Sequence, residues 1–315
     1  MKIIVFGSGS IAVRHIKNII ELSHSVTIQS DYQCANSLSF ENKRIPIVRT
    51  ASVEDFDAVV IANNTNKHMS TAIECASKNV PFFIEKPLSN SLDNINFLLE
   101  KVNENQVVVE AGYMLQAHSQ VSKIKDVLIQ KALGEVFYVR AAVGQWLPEW
   151  RPDRDYLKGY AAQECEGGGV LLDLIHEVEL VQSLFGKIRE KSIYRKKCEK
   201  LGLETEAIAT INGLVNGDAI CHIEMDYIRR KYKRELEIVG DLGSMFWDFS
   251  TQRLTISIAG KSDIIHDLDP LTHTRNDMYV DHMNHFISRV RNPHIKPISS
   301  LESSVLALET VLEKF

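Results

Sequence analysis

The first 115 residues alternate between short runs of β-branched or aromatic residues and segments with helical periodicity. The runs are KIIVF (2–6), SVTIQ (25–29), DAVVIA (57–62), VPFFI (80–84) and QVVVEA (106–111). Because the runs are almost continuously apolar, they are typical of parallel strands that helices cover on both faces. Between two of them, Ile16, Ile19 and Ile20 form an apolar stripe at helical spacing. The pattern predicts an α/β domain over residues 1–115, built on a doubly wound parallel sheet.

Residues 116–315 have a different rhythm, which predicts a second, α+β domain. Its strand-like runs are EVFYVRAAV (135–143), EAIATI (206–211), AICHIEM (219–225), RELEIVG (234–240) and LTISIA (254–259). Turn signals such as NGLVNGD and GDLG join the runs, which indicates an open and largely antiparallel sheet. Two helical patterns follow, around 276–291 and 300–314.

Composition excludes several classes of function. Lys and Arg number 36 against 41 Asp and Glu, which gives a net charge of -5, so the basic surface that binds nucleic acid is missing. No window approaches the run of about 18 apolar residues that a membrane span requires. The five cysteines are scattered and form no CxxC pair, which favours reduced thiols over a zinc site. We therefore expect a cytoplasmic protein with no nucleic-acid partner, no membrane contact and no bound metal.

The segment GSGSIA (7–12) directly follows the first strand and opens the first helix. It matches the dinucleotide pattern G-x-G-x-x-G/A, in which Gly7 permits the tight turn and Gly9 lets backbone approach a pyrophosphate at the helix N-terminus. Asp31 lies at the end of the second strand. An acid there accepts hydrogen bonds from the ribose hydroxyls and disfavours a 2′-phosphate. The alternative is that the adjacent Ser30 points at the ribose. These features predict a Rossmann domain that binds NAD, with NADP as the alternative. An ordinary tight turn before a helix is the structural alternative.

The segment IEKPLS (84–89) follows a later strand of the same sheet. Lys86 therefore stands at the carboxyl edge of a parallel strand, where open α/β sheets bind their ligands. Pro87 disfavours the helical conformation at Lys86 and so restricts the direction of its side chain. A functional lysine and an ordinary surface lysine in a turn are both open at this point.

Three glycines precede a helical pattern in GGGVLLDLIHEVEL (167–180). Over residues 170–185 the apolar residues form one side of the predicted helix, and Asp173, His176 and Glu177 lie on the other side near its start. At ~100° per residue, the positions three and four after Asp173 share a helix face with it. A glycine backbone would let a ligand lie against it. A solvated helix side that follows a flexible glycine loop is the alternative.

These three segments, in this order and at these separations, resemble the Gfo/Idh/MocA family of dinucleotide-dependent oxidoreductases. The resemblance extends over nearly the whole chain. ANNTNKH (62–68) stands where family members carry A-T-P/N-x-x-x-H, and ELEIVGDLGSMFWD (235–248) is similar to the family's late strand-turn-strand. The family's known members include glucose-fructose oxidoreductase and inositol dehydrogenase.

The resemblance implies three catalytic residues. Lys86 would be the active-site lysine, Asp173 the acid of the glycine-rich segment and His176 the catalytic histidine. The sequence departs from the family here, because members commonly have D-x-x-x-H, whereas this chain has D-x-x-H and places Glu177 at the usual histidine position. Either His176 or Glu177 handles the proton, and we favour His176 because its ordinary pKa lies near neutral pH.

The resemblance also implies the residues that contact cofactor and substrate. The expected cofactor contacts are Gly7, Gly9, Ser10, Ile11, Asp31, Asn63, Asn64, His68, Glu85 and Lys86. The expected substrate contacts are Tyr113, His118, Trp146, Trp150, Arg151, Tyr156 and Glu177. The aromatic and charged residues of the segment 144–162 suit a sugar, since flat apolar rings stack on its faces and charged groups bind its hydroxyls.

The expected reaction is reversible hydride transfer between a nicotinamide and a CH–OH carbon of a sugar, sugar nucleotide or polyol. Three alternatives remain for the activity: a non-catalytic dinucleotide-binding sensor, a reductase of a non-sugar carbonyl, and a reductase of an imine. Family resemblance further implies a homodimer or homotetramer that forms through the exposed face of the second sheet.

Overall fold

The structure, a computed structural model, describes residues 1–30, 37–40, 43–150, 152 and 155–313. In chain order the strands are β1 (Lys2–Phe6), β2 (Ser25–Gln29), β3 (Ser37–Phe40), β4 (Lys43–Val48), β5 (Ala58–Ile61), β6 (Phe82–Glu85), β7 (Val109–Gly112), β8 (Val136–Gly144), β9 (Arg189–Lys196), β10 (Ile208–Val215), β11 (Ala219–Asp226), β12 (Lys233–Gly240), β13 (Gly243–Asp248), β14 (Arg253–Ile258) and β15 (Ile264–Asp267). The helices are α1 (Ser10–Glu21), α2 (His68–Ser77), α3 (Ile95–Asn105), α4 (Ser119–Ile129), α5 (Val170–Asp173), α6 (His176–Phe185), α7 (Asp277–Arg291) and α8 (Leu301–Leu312).

The chain forms two compact units. The first unit comprises residues 1–117 and 275–305, and the second comprises residues 118–274 and 306–315. The first holds a largely parallel sheet and the second a largely antiparallel sheet, so the predicted fold classes are confirmed. Helix α7, which the sequence analysis assigned to the second domain, packs against α1 in the first unit.

The first sheet has seven strands in the order β3-β4-β2-β1-β5-β6-β7. All neighbouring strands are parallel except β3 and β4, which form an antiparallel hairpin at one edge that the sequence analysis did not predict. The chain continues from β1 to β2 on one side and from β5 to β6 on the other. The order of strands therefore reverses between β1 and β5, and ligands of doubly wound sheets bind beyond the carboxyl ends of the strands at such a point.

Helix α7 completes the core of the first unit. Its residues Met283 and Phe286 join the apolar cluster that α1 and the central strands form. A buried polar group fixes the same helix to β7: Glu110 accepts hydrogen bonds from His282 Nε2 at 3.1 Å and from Arg289 Nη1 at 2.9 Å. Burial alone would raise the pKa of Glu110, but the contact with His282 and the nearby Arg289 charge outweigh it and lower that pKa.

The second sheet has eight strands in the order β15-β14-β13-β12-β8-β11-β10-β9, with β8 and β11 parallel. Alternate residues along each strand face opposite sides. One row of paired residues, buried on the inner face, consists of Leu254, Trp247, Leu236, Ala141, Ile223 and Ile211. The adjacent row, on the outer face, consists of Ile265, Thr255, Phe246, Glu237, Arg140, His222 and Asn212.

Candidate functional site

The turn after β1 separates the roles of its two glycines. Gly7 has φ +117°, and a Cβ there would lie 2.5 Å from the carbonyl oxygen of Ala62, so the protein's own loop after β5 requires a glycine at this position. Gly9 precedes α1 with φ -70°, and among the described residues no heavy atom lies within 4 Å of where its Cβ would be. The open space at the helix N-terminus is therefore beside Gly9.

This turn fits a dinucleotide pyrophosphate. The first turn of α1 starts with Ser10 and Ile11, contains no acidic residue, and presents backbone N–H groups that a helix leaves without internal partners. Ser8 and Ser30 lie side by side at the ends of β1 and β2, with their hydroxyl oxygens 3.0 Å apart. Asp31 lies outside the described residues, so the preference for NAD over NADP stays a prediction.

His68 links the loops that follow β5 and β6. Its Nδ1 lies 2.9 Å from the carbonyl oxygen of Pro87, and its Nε2 lies 3.1 Å from that of Asn63. Burial lowers the pKa of His68, although the two carbonyl groups act in the opposite direction. Both ring nitrogens therefore face the protein's own backbone, and the contact of His68 with the cofactor stays a prediction. Asn63 is half-buried and the adjacent Asn64 is exposed.

Glu85 and Lys86 differ sharply in their surroundings. The Glu85 carboxylate is buried, with Oε1 2.7 Å from His15 Nε2 and Oε2 accepting the Lys86 backbone N–H at 3.2 Å. Burial would raise the pKa of Glu85, but the hydrogen bond and charge of His15 lower it. Both oxygens therefore have partners within the protein, and the contact of Glu85 with the cofactor stays a prediction. The Lys86 side chain is half-buried and precedes a cis peptide bond to Pro87.

The predicted helix over residues 170–185 is interrupted. Helix α5 ends at Asp173 and α6 begins at His176, because Leu174 leaves the helical conformation at φ -100° and ψ 25°. The residues from 167 to 182 are all buried. The prediction of one continuous amphipathic helix is therefore wrong, and so is the alternative of a solvated side.

The glycines of this segment pack against the chain itself. The N–H of Gly169 donates to the carbonyl of Ala161 at 3.1 Å, and a Cβ on Gly169, whose φ is +104°, would lie 2.6 Å from Glu206 Oε1. A Cβ on Gly168 would meet the carbonyl oxygens of residues 160 and 161. The close approach that requires these glycines is thus internal. These backbone contacts correct both the expected flexible loop and the expected stacking of a ligand on the glycines.

Asp173 is held between two tyrosines. Its Oδ1 accepts a hydrogen bond from the Tyr160 hydroxyl, and its Oδ2 accepts one from the Tyr227 hydroxyl at 3.1 Å. Burial and the neighbouring Asp173 charge raise the pKa of Tyr227, so its hydroxyl keeps its proton and donates. The sequence analysis missed Tyr227, which lies 54 positions from Asp173 and carries no motif.

Glu177, the residue at the family's usual histidine position, forms a buried ion pair. Its Oε1 lies 2.7 Å from Arg234 Nε, with side-chain exposures of 2% and 5% for Glu177 and Arg234. The carboxylate of Glu177 is thus bound to a guanidinium, and its contact with a substrate stays a prediction. His176 is buried next to it on α6.

Two other predicted substrate contacts lie in packed surroundings. Tyr113 is fully buried in the first unit, with its hydroxyl 3.5 Å from Ser304 Oγ, so it belongs to the core. His118 precedes α4 in the second unit, where its Nδ1 accepts the N–H of Gln120 at 3.2 Å and its ring packs against Trp247. Burial, together with the charge of His273, lowers the pKa of His118 to about 4. The contacts of Tyr113 and His118 with a substrate stay predictions.

The aromatic segment after β8 retains exposed ring surface. Trp146 is half-buried, and the guanidinium of Arg230 lies 3.8 Å from its ring centroid. Trp150 packs edge-on against Tyr227, the residue that holds Asp173. The Tyr156 hydroxyl donates to the carbonyl of Leu201 at 3.1 Å. Arg151, the remaining predicted contact, lies outside the described residues.

No three His, Cys, Asp or Glu side chains within the described part of the chain are grouped so that they could hold a metal ion. None of its helices has the length and apolar character needed to cross a membrane.

Comparison with known proteins gives two family matches. Residues 1–113 match the oxidoreductase family with an NAD-binding Rossmann fold, GFO/IDH/MocA, and residues 121–246 match the GFO/IDH/MocA C-terminal domain. The sequence is also 20% identical to a myo-inositol 2-dehydrogenase of Thermotoga maritima over 97% of this chain and 88% of that protein.

Two further comparisons differ in coverage. A stretch of 139 residues is 30% identical to an uncharacterized oxidoreductase of Streptococcus pneumoniae and covers 44% of this chain, but only 36% of that relative. Among solved structures, levoglucosan dehydrogenase in complex with NADH and levoglucosan has a TM-score of 0.87 at 14% identity, over 99% of this chain and 95% of that one.

Proposed function

Because the chain belongs to the Gfo/Idh/MocA family of NAD(P)-dependent oxidoreductases, we propose that it interconverts a CH–OH group and a carbonyl on a sugar, sugar nucleotide or polyol. One observation carries this proposal. The open helix N-terminus beside Gly9 and the lysine that follows β6 lie at the same carboxyl edge of the parallel sheet. That edge is where doubly wound sheets bind a dinucleotide and the molecule with which it reacts.

The first unit would hold NAD through backbone and hydroxyl groups. The N–H groups of Ser10 and Ile11 would donate to the pyrophosphate, and Ser8 and Ser30 offer hydroxyls nearby. When bound, the nicotinamide supplies the acceptor or donor of the hydride. Lys86 would donate a hydrogen bond to the substrate oxygen and stabilise the negative charge that develops on it.

The second unit would manage the proton. We assign its transfer to His176, since the neighbouring Glu177 carboxylate is bound to Arg234. Asp173, fixed by two tyrosine hydroxyls, would orient the substrate or stabilise the charged imidazole. In this assignment Tyr227 is a positioning residue, because it acts through the Asp173 carboxylate.

The class of substrate rests on ring surfaces and on relatives. Trp146 and Trp150 are half-buried aromatic rings, and the Arg230 guanidinium lies over the ring of Trp146. Such a combination binds ring compounds that carry several hydroxyls. One similar protein is named for its action on myo-inositol, and a similar structure holds levoglucosan.

The first test needs no substrate. We expect NAD in the supernatant when the purified protein is denatured, or NAD+ binding in titration, with mass spectrometry identifying the dinucleotide. A panel of inositols, anhydrosugars, free sugars and nucleotide sugars is then screened with NAD+ and NADP+ for a change in nicotinamide absorbance. Binding without turnover across the panel would favour a sensor, and release of NADP would overturn the preference for NAD.

The second test removes the lysine. For any substrate found, Lys86→Met is expected to lower kcat/KM by about 100-fold or more, because a group that stabilises developing charge is lost. Lys101→Met is the matched control, since Lys101 is on α3 in the same unit and pairs with Glu104. Unimpaired turnover by Lys86→Met would remove the lysine from the mechanism.

We also propose that copies of this chain associate through the outer face of the second sheet as a homodimer or homotetramer. Four exposed apolar side chains support this proposal, because their strand registers place them on that one face: Tyr194, Ile220, Phe246 and Ile265. They stand on four strands that are not neighbours in the sheet, and we propose that they pack against the same face of a second copy.

A further inference from the structure

His15 lies on the helix that the glycine turn begins. Its ring is buried at 1% exposure and its Nε2 is 2.7 Å from Glu85 Oε1. The ring also packs edge-on against Phe83, with centroids 5.1 Å apart, and Phe83 is on the same strand as Glu85. This side chain therefore joins α1 to the end of β6.

Glu85 extends this connection to Lys86. Its second oxygen, Oε2, accepts the backbone N–H of Lys86 at 3.2 Å. A carboxylate only accepts hydrogen bonds, and the lowered pKa of Glu85 keeps it ionised, so His15 must donate from Nε2. A continuous path of hydrogen bonds thus runs from α1 through His15 and Glu85 to the Lys86 backbone.

We propose that His15 is a positioning residue, which through Glu85 holds the Lys86 backbone and so directs its ammonium toward the reacting oxygen. The proposal rests on the proposed function, in which Lys86 stabilises charge on that oxygen. Since α1 would also bind the pyrophosphate, the same path fixes the lysine relative to the dinucleotide. Displacement of a catalytic group by about 1 Å can cost about 100-fold in rate.

A matched pair in the same unit separates positioning from stability. His282 Nε2 lies 3.1 Å from Glu110 Oε1, both residues are buried, and Glu110 is on β7, the neighbour of β6. Phe83 contacts both histidine rings, at 5.1 Å and 5.2 Å between centroids. Both pairs join a histidine to a glutamate, and both are buried. They differ in that Glu85 directly precedes Lys86, whereas Glu110 does not.

The test compares His15→Asn, His15→Gln and His282→Asn in the full-length protein. The amide of an asparagine at position 15 is too short to reach the point that His15 Nε2 occupies, so it does not contact Glu85. The amide of a glutamine reaches that point and still donates a hydrogen bond to Glu85. The first readout is hydrogen exchange of the segment 82–88, which contains the Lys86 amide. We expect faster exchange there in His15→Asn, and exchange close to wild type in His15→Gln and His282→Asn.

The second readout is kinetic, with a substrate found in the screen. We expect His15→Asn to lower kcat by about 10- to 100-fold with the NAD+ dissociation constant changed less than about twofold. His15→Gln should restore most of kcat, and His282→Asn should lose stability only. Wild-type exchange of the Lys86 segment in His15→Asn would overturn the proposal, as would equal kcat in His15→Asn and His282→Asn. If the wild type turns over no substrate, the proposed function fails, and hydrogen exchange alone decides the role of His15.

Discussion

The ion pair between Arg234 and Glu177 has almost no contact with water, unlike the ion pairs on the surface of this chain. Each partner is desolvated on folding, and the opposite charge compensates for part of that loss. Arg253 and Asp267 form a bidentate pair with both distances at 2.7 Å, but both side chains are about half exposed. The surface pair has the shorter second distance, 2.7 Å against 3.4 Å in the buried pair, so its exposure and not its geometry makes it the weaker one.

Removal of one partner from the buried pair should therefore be costly. We expect Arg234→Met to lower the free energy of unfolding by about 3–5 kcal/mol, because Glu177 would remain as a buried charge without its guanidinium. Urea denaturation followed by circular dichroism measures this change. The control, Arg253→Met, should leave the unfolding free energy within experimental error of the wild type. Equal losses in the two variants would contradict the assignment.

Residues that act through a distant partner could not be found from the sequence. Lys86, Asp173 and His176 stand in motifs, and the sequence points to them directly. Arg234 and Tyr227 each lie more than 50 positions from their acidic partners in the sequence. The pairing of β8 with β11 and β12 brings them close to those partners. His15 stands in no motif, and its partner Glu85 is 70 positions away.

At the scale of elements, strands were more predictable than helix boundaries. The runs that predicted β1, β2 and β5 lie within one residue of the observed strands, because burial on both faces leaves an unambiguous apolar signal. The helix over 170–185 was predicted from periodicity, but the segment is buried to residue 182 and so has no solvent-exposed side. Its interruption at Leu174 depends on tertiary contacts that periodicity does not record.

The two glycines of the first turn give a prediction at this scale. We expect Gly7→Ala to destabilise the fold, because φ +117° is strained for alanine and its Cβ would meet the Ala62 carbonyl. Gly9→Ala should fold normally, since φ is -70° and the space is open, but it should bind NAD+ more weakly because the methyl occupies the approach to the helix. Thermal unfolding and NAD+ titration separate the two effects. Unchanged NAD+ affinity in Gly9→Ala would contradict this site.

At the scale of the molecule, the sequence predicted two fold classes in the correct order, but not which segments of the chain form each unit. The boundary near residue 115 follows a visible change of rhythm, from strands joined by helices to strands joined by turns. No sequence pattern indicates that α7 belongs to the first unit, because its apolar residues are of the kind found in any protein core. Only contacts between distant segments place it there.

Self-association is the prediction that belongs to the whole molecule. We expect the wild type to sediment as a dimer or tetramer and the double variant Ile220→Asp, Phe246→Asp to sediment as a monomer, because both apolar side chains are exposed on one face of the second sheet. Ile129→Asp is the control, since Ile129 is 78% exposed at the end of α4. A monomeric wild type would refute the proposed interface.

Helix α7 also has a consequence for how the protein is made. When residues 1–117 have emerged from the ribosome, the seven described strands of the first sheet have been synthesised. The helix whose Met283, Phe286 and Ile287 complete the core of that unit has not. Part of the apolar surface of the first unit therefore stays uncovered while the second sheet is translated. We expect the nascent chain to expose this apolar surface, and so to bind chaperones, until α7 has been translated.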